Sequence, residues 1–360
     1  MDPINYGGIT LKNRIIFAPT TMGLKMEEYL QKLEDIAEGG CAMMVIGDVP
    51  VRKSHFAPSL WNQKGMEHYR KITDTIHAHD CMVCSQLHQS DSNFSGMIKY
   101  IPGILTGKIS KMEMRSLLNQ EVSSYISSMP ADKVKDITAS FGTAAEKAAE
   151  AGFDLIQVHG DRMCGSFSSS LTNKRTDEYG GPVKNRARFA AESIRAIREK
   201  LPDIPIDYKL VIRMEEPHYG TAGILMEEIP EFISVIEREG ITSYHVALAN
   251  HGKLEDTIPD ARHPEFSGQG CFLRFCDELR KYTDLPICGV GGLSDPDYIE
   301  EQLETGRIDC AAMSRQLIAD PEWVRKVSHG HTAAIQKCIR CNKKCLGGMY
   351  EHKGVHCIYE

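Results

Sequence analysis

The strongest constraint on this chain is an alternation. A short apolar run followed by a stretch with helical spacing recurs eight times along 360 residues. The run NRIIFAP (13–19) reads as a buried strand, and Met26–Glu38 follows as a helix that stops at Gly39-Gly40. Strands are then expected over 41–47, 81–88, 153–159, 206–212, 243–249, 287–290 and 308–314. The helices between and after them fall over 66–80, 134–151, 185–201, 229–239, 271–282, 296–304 and 321–327. Runs such as AMMVI, LIQV and ICGV are apolar throughout, which is how parallel strands covered by helices on both faces read. Eight such units at this length predict an α/β fold, a (β/α)8 TIM barrel over 1–330, with a short cysteine-rich segment over 331–360. A doubly wound open sheet would need a break near the middle of the chain, and no linker composition occurs there. The stretch 89–131, rich in Ser with Gly and Pro, reads as an irregular inserted loop of the lid or binding type.

Charge and cysteine usage narrow the function. The balance of 42 basic and 49 acidic residues, −7 in all, runs without long blocks and offers no field for a phosphate backbone, so nucleic acid is excluded as a main partner. No apolar run approaches the roughly 20 residues that span a bilayer. The start Met1-Asp2-Pro3 lacks the basic region of an export signal, so a cytoplasmic chain with reduced thiols and no membrane partner is expected. Of twelve cysteines, eight (Cys41, Cys81, Cys84, Cys164, Cys271, Cys276, Cys288, Cys310) are scattered, mostly within apolar runs, as small core hydrophobes. The other four, Cys338, Cys341, Cys345 and Cys357, have the spacing C-x2-C-x3-C-x11-C. Four grouped thiolates suit either zinc or an iron–sulfur cluster.

In a barrel of this kind the chemistry lies at the C-terminal ends of the strands. There the chain carries Pro19-Thr20-Thr21, Gly47-Asp48, Gln86, His159, Lys209 and His251. Gln86 interrupts an apolar run, where an amide needs hydrogen-bond partners; a heterocycle or a polar core neighbour would serve. Lys209 within IDYKLVI is costly to bury unless it meets negative charge. Gly289-Val290-Gly291-Gly292 and Met313-Ser314-Arg315 end the last two strands, where barrels commonly hold a phosphate on bare backbone N–H groups.

Several longer segments carry a resemblance. LKNRIIFAPT (11–20), SQLH (85–88), AGFDLIQVHG (151–160), LTNKRTDEYGGPVKNRARF (171–189), PICGVGGLSDP (286–296) and MSRQLIADPEW (313–323) resemble the old yellow enzyme family. Together with CIRCNKKC (338–345) and Cys357, they are more similar to its iron–sulfur branch. That branch includes 2,4-dienoyl-CoA reductase, enoate reductases, bile-acid-converting reductases and trimethylamine dehydrogenase. The resemblance covers nearly the whole chain and implies an FMN-binding barrel with a [4Fe–4S] cluster on Cys338, Cys341, Cys345 and Cys357. It implies that Pro19, Thr20, Gly47 and Gln86 line the isoalloxazine. Lys209, with Arg213 as the alternate, is then the cation beside the reduced ring, and Gly291, Gly292, Ser314 and Arg315 hold the phosphate.

The chain departs from that pattern in two places. After the fourth strand the family usually has two histidines, or a histidine and an asparagine, and then a tyrosine; this chain reads His159-Gly160-Asp161-Arg162-Met163-Cys164. His159 and Arg162 are then expected to polarise the substrate carbonyl, or Arg162 instead to clamp the carboxylate of an acidic substrate, and the proton donor is expected to be His251 or Cys164. Longer relatives continue past the cluster into FAD- and nicotinamide-binding domains, whereas this chain ends at Glu360 and carries no Gly-x-Gly-x-x-Gly after a strand. Electrons are then expected from NADH or NADPH directly, or from an electron-donating partner protein or subunit. The expected activity is reduction of an activated C=C bond in a small unsaturated molecule. The alternatives are an amine dehydrogenase of the trimethylamine dehydrogenase type and a non-catalytic electron-transfer subunit of a larger complex. A homo-oligomer is compatible with all three.

Overall fold

The computed structural model describes residues 2–54, 58–93, 100–109, 111–250 and 252–360. A hairpin, β1 (Ile4–Tyr6) and β2 (Ile9–Leu11), precedes eight parallel strands: β3 (Ile15–Phe17), β4 (Met43–Pro50), β5 (Met82–His88), β6 (Leu155–His159), β7 (Ile206–Ile212), β8 (Ser243–Leu248), β9 (Ile287–Gly289) and β10 (Cys310–Met313). They close in the order β10-β3-β4-β5-β6-β7-β8-β9, so the sheet has no edge and the open-sheet alternative is excluded.

Two apolar layers hold this ring. Outward-facing strand residues such as Ile46, Val83, Ile156, Val158, Tyr208 and Leu210 pack against the surrounding helices in one continuous cluster. Inward-facing Ile16, Met43, Val45, Cys84, Leu155, Cys288, Cys310 and Ala312 fill the lumen, together with Tyr6 and Leu11 from the hairpin. The hairpin was not expected from the sequence, because two three-residue strands carry too little periodicity to detect. It seals the N-terminal mouth, with the Tyr6 hydroxyl donating to Asp207 Oδ1 at 2.8 Å inside the barrel.

Helix boundaries agree with the sequence to within a few residues. Met26–Glu38 and Pro296–Glu304 occur as expected, the latter capped by Asp295, whose side chain accepts from Tyr298 N. The inserted segment requires a correction. Within 89–131, expected to be irregular, the structure contains helices Ile101–Leu105 and Lys111–Ser128. Leu118, Val122 and Ile126 recur every four residues and are all buried, and this stripe was masked by the surrounding serines. The eight scattered cysteines are packing groups, seven of them buried and Cys271 half-buried. Among the described residues no helix is long and apolar enough to cross a membrane.

The seam of the ring lies where the first helix meets the last part of the barrel. A Cβ at Gly39 would sit 1.9 Å from the Pro321 carbonyl oxygen, and the Gly39 carbonyl accepts from Arg325 N at 2.9 Å. Backbone is therefore against backbone here, and no side chain can yield. Gly39→Ala should destabilise the protein by about 1–3 kcal/mol, as overpacking of a closed core does. The check is the midpoint of urea unfolding, and an unchanged midpoint would show that the seam yields.

Candidate functional site

In a parallel ladder, neighbouring residues of adjacent strands point to the same face, and residues two apart on one strand share it. Gln86 of β5 pairs with Gln157 of β6, Gln157 with Asp207 of β7, and Asp207 with Ser243 of β8. Two residues further along, His159 pairs with Lys209, and Lys209 with His245. The lumen thus carries two polar layers, one of amides and a carboxylate, and above it one of imidazoles and an amine. Above both opens a cavity of about 480 Å³, within the usual range of small-molecule sites.

Most of the residues singled out from sequence line this cavity: Pro19, Thr20, Gly47, Gln86, His159, Arg162, Lys209, Gly291, Gly292, Ser314 and Arg315. Three do not. Arg213 follows the end of β7, is buried and off the cavity lining, and its two Nη atoms donate to Glu215 and Ser170, each at 2.9 Å. Cys164 lies in helix Arg162–Ser168 among core hydrophobes, off the cavity lining, and burial pushes its thiol well above the ordinary range. His251 lies outside the described residues.

One end of the cavity is built for an anion. Gly291 and Gly292 have φ of +123° and +67°, and a Cβ on them would sit 2.9 Å from Phe272 N and 2.8 Å from Arg340 Nη1, respectively. Only glycine leaves this backbone bare. Arg315 and Arg340 both line the cavity, and among the described residues neither has a carboxylate partner within ion-pair distance. Arg315 donates to Pro259 O and Asn342 Oδ1, and Arg340 to Ser267 O, Gly268 O and Phe266 O, so both are held by neutral acceptors with their charge uncompensated. Burial pushes the Arg315 guanidinium below its usual range, a cost that a bound phosphate would relieve. Arg340 escaped the sequence analysis because it sits between two cysteines and its position over Gly292 is set by tertiary docking.

At the other end, Lys209, His159, His245, Arg162, Asp48 and Asp161 converge. Burial and Lys209 push His245 down to about 3. Burial, with Lys209, His88, Arg162 and His245, pushes His159 well below its ordinary range, so both imidazoles are neutral at physiological pH. Burial raises the Asp48 carboxyl, but His88, Arg162, the Thr21 hydroxyl and Lys209 outweigh it and hold it below the usual range. Asp48 Oδ1 lies 3.8 Å from His159 Nδ1 and 4.0 Å from His88 Nδ1, and neither nitrogen has a hydrogen-bond partner. Asp161 Oδ1 is likewise buried and without one. These unsatisfied atoms mark a site that a polar ligand completes. Arg162 has φ +51°, a left-handed conformation disfavoured for a side-chain-bearing residue, held where the chain turns into its helix. Burial opposes its charge, but Asp161, Asp91 and Asp48 keep it firmly protonated. His245 was missed because a single histidine in an apolar run reads as a core residue until the ladder places it beside Lys209.

The four C-terminal cysteines line a second, small pocket on the outer side of Arg315 and Ile318, and Cys338 and Cys345 also border the main cavity. Cys338 N donates to Gln316 Oε1 at 2.9 Å, and Val355 N to Met22 O at 2.7 Å, so the segment forms part of the cavity wall. Among the described residues no group of three His, Cys, Asp or Glu stands close enough to hold a single metal ion.

Comparison with known proteins agrees with this geometry. The chain is 58% identical over 360 residues to the bilirubin reductase of Clostridium symbiosum (strain WAL-14163), covering 100% of this chain and 96% of the relative. It is 34% identical to the bilirubin reductase of Mediterraneibacter gnavus (strain CC55_001C), covering 99% of this chain and 56% of that protein. It therefore spans nearly all of one relative and about half the length of the other. Among solved structures, histamine dehydrogenase from Rhizobium sp. 4-9 superposes with a TM-score of 0.81 at 23% identity, over 100% of this chain and 52% of that one, a likeness of fold. Residues 1–333 match the NADH:flavin oxidoreductase / NADH oxidase family, and the chain belongs to that family, as a flavin-dependent oxidoreductase.

Proposed function

We propose that this protein binds FMN and a [4Fe–4S] cluster and reduces an activated C=C bond in a substrate that bears carboxylates. The observation that carries the reading is the polarity of the cavity, with uncompensated Arg315 and Arg340 at one end and Lys209, Arg162 and neutral His159 at the other. In this reading Gly291, Gly292, Ser314, Arg315 and Arg340 hold the FMN phosphate, while Pro19, Thr20, Gly47, Gln86 and Lys209 surround the ring. When bound, FMN supplies the hydride. Lys209 supplies the positive charge that suits a reduced, anionic ring, and its own depressed affinity for a proton, due first to burial, makes such a partner favourable. His159 donates a hydrogen bond to the substrate carbonyl, and Arg162 grips a carboxylate through its forked donors. His251 is the proposed proton donor.

The four cysteines line one small pocket, and in this reading each would hold one iron of the cluster. An amine substrate would call for an aromatic cage, and among the described residues Phe272 is the one Phe, Tyr or Trp lining the cavity. Likeness to the bilirubin reductases makes bilirubin, which carries carboxylates, the substrate to test first.

Protein purified without oxygen should contain about one FMN and about four irons per chain, be reduced by NADH or NADPH, and be reoxidised by bilirubin. Zinc without flavin would overturn the reading, and both cofactors without reoxidation by bilirubin or any enoate or enone would favour an electron-transfer subunit. Arg162→Lys keeps the charge but loses the fork and should lower kcat/KM for the carboxylate substrate about 10- to 100-fold. An effect of that size on an uncharged enone as well would remove the clamp. Because His159 stays neutral far below its ordinary pKa, kcat should show no ionisation across about pH 6–8 that His159→Ala abolishes.

A further inference from the structure

Beneath the cavity lies a hydrogen-bonded chain of which the proposed function uses only the last member, Gln86. Tyr6 OH donates to Asp207 Oδ1 at 2.8 Å, and Ser243 Oγ donates to the same oxygen at 2.7 Å. Gln157 Nε2 donates to Asp207 Oδ2 at 2.6 Å, and Gln86 Nε2 donates to Gln157 Oε1 at 2.6 Å. Tyr6, Asp207, Gln157 and Gln86 are each at most 2% exposed, and of these four only Gln86 lines the cavity. A polar network sealed this deeply is costly unless its members are satisfied.

The direction of the chain follows from one group. A carboxylate only accepts, so Gln157 must turn its NH2 toward Asp207. That leaves the Gln157 oxygen facing Gln86, which must answer with its own NH2. The atom of Gln86 left for the cavity is its oxygen, and Oε1 does lie on that side, 3.4 Å from where a Cβ on Gly47 would stand. Without the carboxylate, either amide could flip at little cost.

We propose that Asp207 is a positioning residue, acting through Gln157 to make Gln86 a fixed hydrogen-bond acceptor toward the ligand ring. The inference rests on the flavin reading above. Oxidised isoalloxazine has a single N–H, at N3, among several acceptor atoms, so an acceptor locked in place recognises that one group. An amide free to rotate would offer donor and acceptor alike and lose the preference.

The test compares the binding of FMN and 3-methyl-FMN, which lacks the N3–H, to flavin-depleted protein kept anaerobic, followed by quenching of flavin fluorescence. Each protein is scored by the ratio of the two affinities, in which a general loosening of the site cancels. Wild type should prefer FMN, and both Gln157→Met and the isosteric Asp207→Asn should reduce that preference by about tenfold, the worth of one oriented hydrogen bond. Thermal melting verifies that each variant is folded, and Asp207→Asn decides the matter if Gln157→Met is not. A ratio unchanged in the folded variants overturns the relay while leaving the flavin reading intact. Failure of wild type to bind FMN overturns the flavin reading, and the relay with it.

Discussion

Parallel pairing around a closed ring is the constraint from which the site follows. Once Gln157 is opposite Gln86 and Asp207 is opposite Gln157, the two-residue repeat of a strand commits His159 and Lys209 to the same lumen one layer higher. A one-residue slip between any two strands would send these groups into the largely apolar helical layer. Closure makes such a slip more costly, because each strand is held by neighbours on both sides.

The buried charges are arranged in two separate economies. Asp207 is paid back by three neutral donors, so it is satisfied within the protein even though burial pushes its carboxyl up. Arg315 and Arg340 are likewise held by neutral acceptors, but they and Lys209 reach the cavity, where the proposed anionic ligand would complete them. In the proposed reading, this division gives Asp207 to preorganisation and the three cations to recognition. Burial, reinforced by the nearby positive charge, keeps His159 and His245 neutral, which makes them hydrogen-bonding groups in a site whose positive charge comes from Lys209 and the guanidiniums.

Much of this was legible in the sequence because apolar strands alternating with amphipathic helices leave a periodic trace. The strand ends Pro19-Thr20, Gly47, His159 and Gly291-Gly292 could be picked out since a barrel keeps its chemistry there. Helix Lys111–Ser128 was not read, because its stripe of Leu118, Val122 and Ile126 is diluted by serines, and packing against the barrel rather than propensity holds it. Cys164 looked like a site residue because it stands in place of the family tyrosine, and Arg213 because it lies just beyond Lys209 at the end of the same strand. Cys164 was drawn into the core by its helix, and Arg213 was neutralised by Glu215 just past the strand end.

By itself, the sequence determined the eightfold architecture, the glycine-rich anion end and the four-cysteine segment, because each depends on local pattern or spacing. Tertiary structure alone decided that Arg340 stands over Gly292, that His245 is beside Lys209, and that Asp207 reaches Gln86 through Gln157. The two hydrogen bonds of the last relation join residues 50 and 71 positions apart. Only the register of closed strands brings such distant groups within hydrogen-bonding reach.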